Sequence, residues 1–125
     1  MLVAVVLVLA AVARADEPVY PQHAEALYRR YCASCHGLDG RGHGPVAEAL
    51  KAQPPDLTAL DMNLAELMRA IDGRRTIRAH GTGAMPVWGT VFEQGREGDP
   101  RQVRQSLRDT QALAEYVRAL QVRGK

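Results

Sequence analysis

The sequence is poor in cysteine and in aromatic residues, and it carries little net charge. Its 125 residues include two cysteines, one tryptophan and one phenylalanine, and the formal net charge is +2. A structural zinc site needs about four ligands, which two cysteines alone cannot supply. A charge so close to zero, without a basic block interleaved with aromatics, argues against nucleic acid as a partner. The scarcity of bulky apolar side chains also predicts a thin protein core.

Long hydrophobic runs are missing except at the N-terminus. Residues 2–13 form an unbroken apolar run, which is shorter than the roughly 20 residues of a membrane-spanning helix. Ala13-Arg14-Ala15 is similar to a signal-peptide cleavage site, so we predict that residues 1–15 are a secretory signal peptide. Residues 16–125 are then the mature domain. No Lys or Arg precedes the run, and an uncleaved N-terminal membrane anchor is the alternative.

The two cysteines that are present lie three positions apart, and a histidine follows the second. The run Cys32-Ala33-Ser34-Cys35-His36 has the C-x-x-C-H pattern of covalent haem attachment. Two thiols at this spacing can each add to one haem vinyl group, and the imidazole of His36 can then bind the iron. Haem fits the predicted export, because free thiols in an oxidising compartment would otherwise form a disulfide.

Two other interpretations of this motif compete with haem attachment. A thioredoxin-like redox pair would follow a β-strand in a βαβ unit, and the sequence has no such strand. A mixed Cys/His metal site would need further ligands. The remaining histidines, which show no finger-like spacing, are His23, His43 and His80. We therefore predict that Cys32 and Cys35 anchor one haem.

The apolar periodicity predicts an all-α domain of about four short helices joined by long loops. The predicted helices cover residues 21–31 and 45–52, and two more start at Asn63 and at Ser106. Glu66 stands where a capping box requires it. Gly73 would end the third helix. The glycine-rich residues 37–44 and 73–90 show no helical period, and the charged residues from Gly95 to Gln105 are interpreted as a solvated loop.

Met85 is the candidate for a second iron ligand. A thioether is a soft, neutral ligand, and His/Met ligation raises the potential of a haem relative to other axial pairs. Met85 lies in the run Gly83-Ala84-Met85-Pro86, where glycine and proline can hold an extended, rigid loop. The alternative is a loop methionine that packs into the core. Met62 is a weaker candidate for the same position.

Four features together resemble a class I c-type cytochrome of the bacterial periplasm. They are Cys32-Ala33-Ser34-Cys35-His36-Gly37, the step Pro55-Asp56-Leu57, Gly83-Ala84-Met85-Pro86 and a terminal helix with Leu113, Tyr116, Val117 and Leu120. The resemblance covers residues 20–122. It implies a cytochrome c-like fold in which the first and last helices cross, with one covalently bound haem c between the helices and the methionine loop.

The same resemblance assigns a role to each site residue. It implies that Cys32 and Cys35 form the thioethers and that His36 and Met85 are the axial iron ligands. Pro55 would accept a hydrogen bond from the second nitrogen of the histidine, although Pro54-Pro55 is also an ordinary helix stop. Leu57 would pack against the porphyrin. Candidate partners for the haem propionates are Trp88, Arg74, Arg75 and Arg78.

The predicted function is electron transfer in the periplasm rather than catalysis. One haem iron would cycle between Fe(II) and Fe(III) while redox partner proteins dock transiently, with membrane contact only through partners or an uncleaved N-terminus. A first alternative is a haem-based sensor or peroxidase-like enzyme with a labile Met85 or an open sixth position, where His43 or His80 could act. A second is an electron-transfer subunit of a larger oxidoreductase. The segment Gly95–Arg104 is given no role.

Overall fold

The computed structural model describes residues 20–75, 85–96 and 98–123. The helices are α1 (Tyr20–Tyr31), α2 (Ala33–His36), α3 (Leu64–Asp72), α4 (Trp88–Glu93) and α5 (Pro100–Arg123), with a 3-10 turn over Ala47–Ala49. These residues contain no β-strand, so this part of the chain is all-helical, as predicted. None of the described helices is both long and apolar enough to cross a membrane. The predicted signal peptide lies outside the described residues and stays a prediction.

Helix α1 forms where its apolar periodicity predicted a helix, and it packs against α5. Tyr28 is fully buried between them, with its ring 4.9 Å from that of Tyr116. The Tyr28 hydroxyl donates a hydrogen bond to the carbonyl of Gly37 at 2.8 Å. Burial raises the pKa of Tyr28, so the neutral phenol ties the first and last helices to the loop after α2.

Helix α3 begins and ends at the residues that its sequence signals indicate. The Asn63 side chain accepts the backbone N–H of Glu66, and the Glu66 carboxylate accepts the backbone N–H of Asn63 at 2.8 Å. This reciprocal capping box pairs two N–H groups that the helix itself leaves unpaired. At the other end Gly73 adopts a left-handed conformation with φ 71°, which a glycine reaches without steric cost.

The prediction for the start of the last helix was wrong. Helix α5 begins at Pro100 rather than at Ser106, inside the segment interpreted as a loop. Proline suits a first helical position, and Asp99 accepts the backbone N–H groups of Arg101 at 2.9 Å and of Val103 at 2.9 Å. Ser106 is instead fully buried. Arg101 and Arg104, two of the charged residues that suggested a loop, are exposed on the first turns of α5.

Three shorter elements also differ from prediction. The helix predicted over residues 45–52 is only the 3-10 turn Ala47–Ala49. Helices α2 and α4 were not predicted, because four and six residues are too few to show a helical period. Helix α4 contacts both α3 and α5.

One buried cluster forms the core where α1 and α3 pack against α5, and it includes the first cysteine of the motif. Its larger members are Tyr28, Cys32, Leu57, Leu67, Ile71, Phe92, Leu113, Val117 and Leu120. Partly buried apolar side chains pack against this cluster, namely Leu27, Tyr31, Leu60, Met62, Leu64, Met68, Trp88 and Tyr116. Several large apolar groups therefore remain incompletely covered by protein.

Candidate haem site

The two cysteines stand on one turn of backbone that continues directly from α1. The Cys32 N–H donates to the carbonyl of Tyr28 at 2.9 Å, and the Cys32 carbonyl accepts from Cys35 at 3.1 Å and from His36 at 2.9 Å. Residues three apart on a helical turn lie on the same side. Cys32 is buried, Cys35 is half-buried, and both thiols are free. The turn therefore presents both thiols to one region at the edge of the core.

The protonation of Cys32 argues against a dithiol redox pair. Burial, with a smaller contribution from Cys35, raises the pKa of Cys32 to about 12. Reactive redox cysteines have a lowered pKa instead, since the thiolate is the nucleophile. In addition, the described part of the chain has no strand from which a thioredoxin-like βαβ unit could be built.

His36 is buried and its ring is oriented by a backbone carbonyl. Its Nδ1 lies 3.3 Å from the carbonyl oxygen of Pro55. A carbonyl only accepts, so Nδ1 carries the proton and Nε2 is the nitrogen able to bind a metal. Burial lowers the pKa of His36, and the Pro55 hydrogen bond opposes this only in part. The neutral imidazole, which is the metal-binding form, is therefore favoured.

The glycine-rich loop after the motif brings Pro55 to His36. Gly42 donates its N–H to the His36 carbonyl at 2.8 Å, and the Leu57 N–H donates to the Gly40 carbonyl at 2.7 Å. Gly42 has φ 83°, and a Cβ there would overlap the Pro54 carbonyl oxygen. Only glycine allows this approach without strain.

The same loop binds the other carbonyls of α2. The N–H of Gly44 donates to Cys35 at 3.0 Å, and that of Val46 donates to Ser34 at 3.0 Å. A Cβ on Gly44 would overlap the Ser34 carbonyl oxygen. The backbone of the C-x-x-C-H turn is thus fixed by hydrogen bonds from a closely packed loop, and the His36 ring is oriented without a bound metal.

Three aromatic side chains pack against one another next to the C-x-x-C-H motif. The ring of Tyr31 lies 5.4 Å from Trp88 and 5.3 Å from Phe92, and the Trp88 and Phe92 rings stack at 5.9 Å. Among the described residues the indole Nε1 of Trp88 has no hydrogen-bond partner although it is buried. A buried donor without a partner lowers folding stability. An acceptor from outside the described protein groups would remove this cost for the Trp88 N–H.

The structure brings some predicted site residues together and leaves others apart. Leu57 is buried in the same cluster as Cys32. Met85 is 39% exposed and lies outside this cluster. His43 is exposed and lines an open groove of about 660 Å³ with Ser34 and Leu38. None of the predicted haem-binding residues lines that groove, so His43 gains no support as a distal residue.

The arginines proposed as propionate partners have other surroundings. The guanidinium of Arg74 donates to the carboxylates of Asp72 and Glu93. Arg75 is exposed, whereas Arg78 and His80 lie outside the described residues. Tyr31, Phe92 and Glu93 were not singled out from the sequence. Tyr31 immediately precedes Cys32, and this adjacency could have indicated from the sequence that Tyr31 lies near the site.

An all-helical domain with C-x-x-C-H on a buried turn and an oriented histidine is a c-type cytochrome, and the comparison with known families agrees. The family model described as cytochrome c oxidase, cbb3-type, subunit III matches residues 21–97, more than half of the chain, and the chain belongs to this family. No curated protein and no solved structure matches it. Membership implies covalently bound haem c.

The residues present fit such a group. Two thiols on one side of a turn can hold it, and the free Nε2 of His36 can bind its iron. The unpaired Trp88 N–H can donate to an anionic propionate. The incompletely covered apolar side chains offer a surface that a flat, mostly apolar ring would cover. The described residues contain no group of three His, Cys, Asp or Glu side chains that could hold a metal ion by themselves.

Proposed function

We propose that this chain is an exported electron carrier with a single haem c ligated by His36 and Met85. The observation that carries the proposal is the buried, neutral His36, whose Nδ1–H is bound by Pro55. Such an imidazole is prepared to bind iron through Nε2, and the carbonyl behind it strengthens the ligand. Met85 is within the matched residues 21–97.

The chain's residues would hold the group and keep its surroundings constant. Haem supplies a reversible Fe(II)/Fe(III) couple whose potential the axial ligands set. Cys32 and Cys35 fix the ring covalently, and Pro55 keeps the His36 ring in one orientation. Tyr31, Leu57 and Trp88 would contact the ring or its propionates. No proton transfer or bond cleavage is asked of the protein, so no catalytic base is needed.

The test is spectroscopic and uses the mature protein from the periplasm. Covalent attachment predicts that haem stays with the protein in acidified acetone. The oxidised protein should show a sulfur-to-iron charge-transfer band that disappears in Met85→Ala and persists in Met62→Ala. A five-coordinate spectrum with rapid carbon monoxide binding would instead support the sensor or peroxidase-like alternative.

Export and cleavage need their own measurement. The predicted signal peptide implies a mature protein that begins at Asp16 and is recovered from the periplasmic fraction. The intact mass of the purified protein checks this. A mass that includes residues 1–15, together with recovery in the membrane fraction, would support the uncleaved anchor.

A second candidate is a permanent subunit of a terminal oxidase, and the family description favours it. Large exposed apolar side chains, such as Leu38 at 62% and Val46 at 42% exposure, are compatible with a lasting protein contact. A carrier would migrate alone after mild detergent extraction, whereas a subunit would migrate with oxidase activity. Electron transfer at the haem is common to both candidates.

A further inference from the structure

Met85 lies close to a contact between the end of α3 and the start of α4. At the end of α3, a Cβ on Gly73 would lie 3.2 Å from the Cα of Val87. In α4, a Cβ on Gly89 would overlap the Asp72 carboxylate and the Arg74 side chain. The end of α3 and the start of α4 therefore touch, and Met85 lies two residues before this contact. We call Asp72, Gly73 and Arg74, with Val87, Gly89 and Glu93, the junction.

One guanidinium links the two sides of the junction. Arg74 donates through Nη2 and Nε to Oδ1 of Asp72 at 2.6 and 2.9 Å, and through Nη1 to Oε1 of Glu93. Hydrogen bonds to Asp72, and to a lesser degree to Glu93, raise the pKa of Arg74. The Glu93 side chain is only 2% exposed. A carboxylate so deeply buried requires a charged partner, and Arg74 supplies it.

The start of α4 is also fixed from within and from α5. The carbonyl of Val87 accepts the N–H groups of Thr90 at 3.2 Å and of Val91 at 3.3 Å. The hydroxyl of Ser106 in α5 donates to the Gly89 carbonyl at 3.2 Å. Between Met85 and Val87 stands only Pro86, whose ring fixes one backbone dihedral angle. The backbone position of Val87 therefore restricts that of Met85.

We propose that the Arg74–Glu93 pair is a positioning device for Met85. It closes the junction and so holds the thioether where it can bind the iron, acting through the backbone of Val87. This inference rests on the proposed role of Met85 as iron ligand. It also gives Arg74 a structural partner in Glu93 in place of a haem propionate.

Competition at the iron measures this positioning directly. In the ferric holoprotein, added imidazole displaces a weakly held methionine, and loss of the sulfur-to-iron band reports the exchange. Glu93→Leu removes the acceptor of a charge-assisted hydrogen bond, so we expect imidazole to bind about tenfold to a hundredfold more tightly. Glu93→Gln keeps an acceptor and should lie between wild type and Glu93→Leu.

Glu25→Leu is the matched control, because it makes the same chemical change in the exposed Glu25–Arg29 pair of α1. Exposed pairs contribute little, so imidazole affinity should change less than about twofold. In Glu93→Leu the amide protons of Thr90 and Val91 should also exchange faster, while those of Leu113 and Val117 in α5 keep their protection.

The possible outcomes separate the positioning role of the Arg74–Glu93 pair from the assignment of Met85 as iron ligand. A sulfur-to-iron band in wild type, with unchanged imidazole affinity in both Glu93 variants, overturns the positioning role and leaves the ligand assignment standing. Lower thermal stability without altered imidazole affinity also overturns it, since that marks a purely structural pair. Absence of the band in wild type overturns the proposed His36/Met85 ligation and the positioning role with it. If Glu93→Leu does not retain haem, the Glu93→Gln titration decides alone.

Discussion

The two sides of the proposed haem site, which carry His36 and Met85, are built differently. On the histidine side, backbone hydrogen bonds and closely packed glycines fix α2, and Pro55 orients the ring of His36. On the methionine side, Met85 is 39% exposed, and the pair Arg74–Glu93 closes the nearby junction. Backbone contacts tolerate few substitutions, whereas a side-chain pair can be weakened in steps. We expect the histidine side to decide whether haem is held and the methionine side to decide its properties.

The largest effect is expected for His36→Ala. This variant removes the proposed proximal ligand and the hydrogen bond to Pro55, so the low-spin spectrum of the reduced protein should be lost. Optical spectra of equal amounts of purified variant and wild type measure this. An unchanged six-coordinate spectrum would show that the histidine side is not as decisive as we argue.

Gly42→Ala should be the next most damaging change. A Cβ at φ 83° is strained and would also overlap the Pro54 carbonyl oxygen, so we expect a loss of about 2–4 kcal/mol in the free energy of unfolding. Gly95→Ala is the matched control, because Gly95 has φ 72° and open space around it. Its cost should be about 1–2 kcal/mol. Equal losses in chemical denaturation would contradict the close approach of the loop to Pro54.

Met85→Ala should change the site without emptying it. Covalent haem should be retained, the reduction potential should fall relative to wild type, and carbon monoxide should bind to the reduced form. The side chain is partly exposed, so its truncation should cost less than about 2 kcal/mol of folding stability. Potentiometric titration and denaturation of the same preparation check both parts. Loss of haem in this variant would mean that the methionine side is needed to retain haem as much as the histidine side is.

The smallest effect is expected away from both sides, at His23→Gln. The His23 Nε2 lies 2.9 Å from Oδ1 of Asp109 and joins α1 to α5, but half of the His23 side chain is exposed. The Asp109 side chain is only 13% exposed, and a hydrogen bond of this kind contributes about 0.5–1.5 kcal/mol. Neither the spectrum nor the potential should move. A shifted potential would mean that the helix crossing is coupled to the site.

The sequence predicted the parts of the molecule that depend on neighbours along the chain. The capping box of α3 and the apolar face of α1 are local signals, and both are confirmed. The start of α5 was mispredicted because none of residues 100–105 is buried, so these first turns show no apolar period. Their packing depends on the contact of Ser106 with Gly89, which lies 17 residues away in the sequence. The hydrogen bond between Arg74 and Glu93 joins residues 19 positions apart, so no local sequence pattern predicts it.

Buried and exposed residues alternate in the glycine-rich loop, and this alternation has a practical consequence for engineering. Gly40, Gly42 and Gly44 are buried against the attachment turn and its neighbours, whereas Asp39, Arg41 and His43 between them are exposed. The surface charge beside His36 can therefore be changed at Arg41 and His43 while the buried glycines keep their packing. Asp39 should be kept, because its carboxylate accepts the backbone N–H of Arg41 at 3.1 Å. A series of charge changes at Arg41 and His43 would therefore vary partner preference and reduction potential with little change in folding stability.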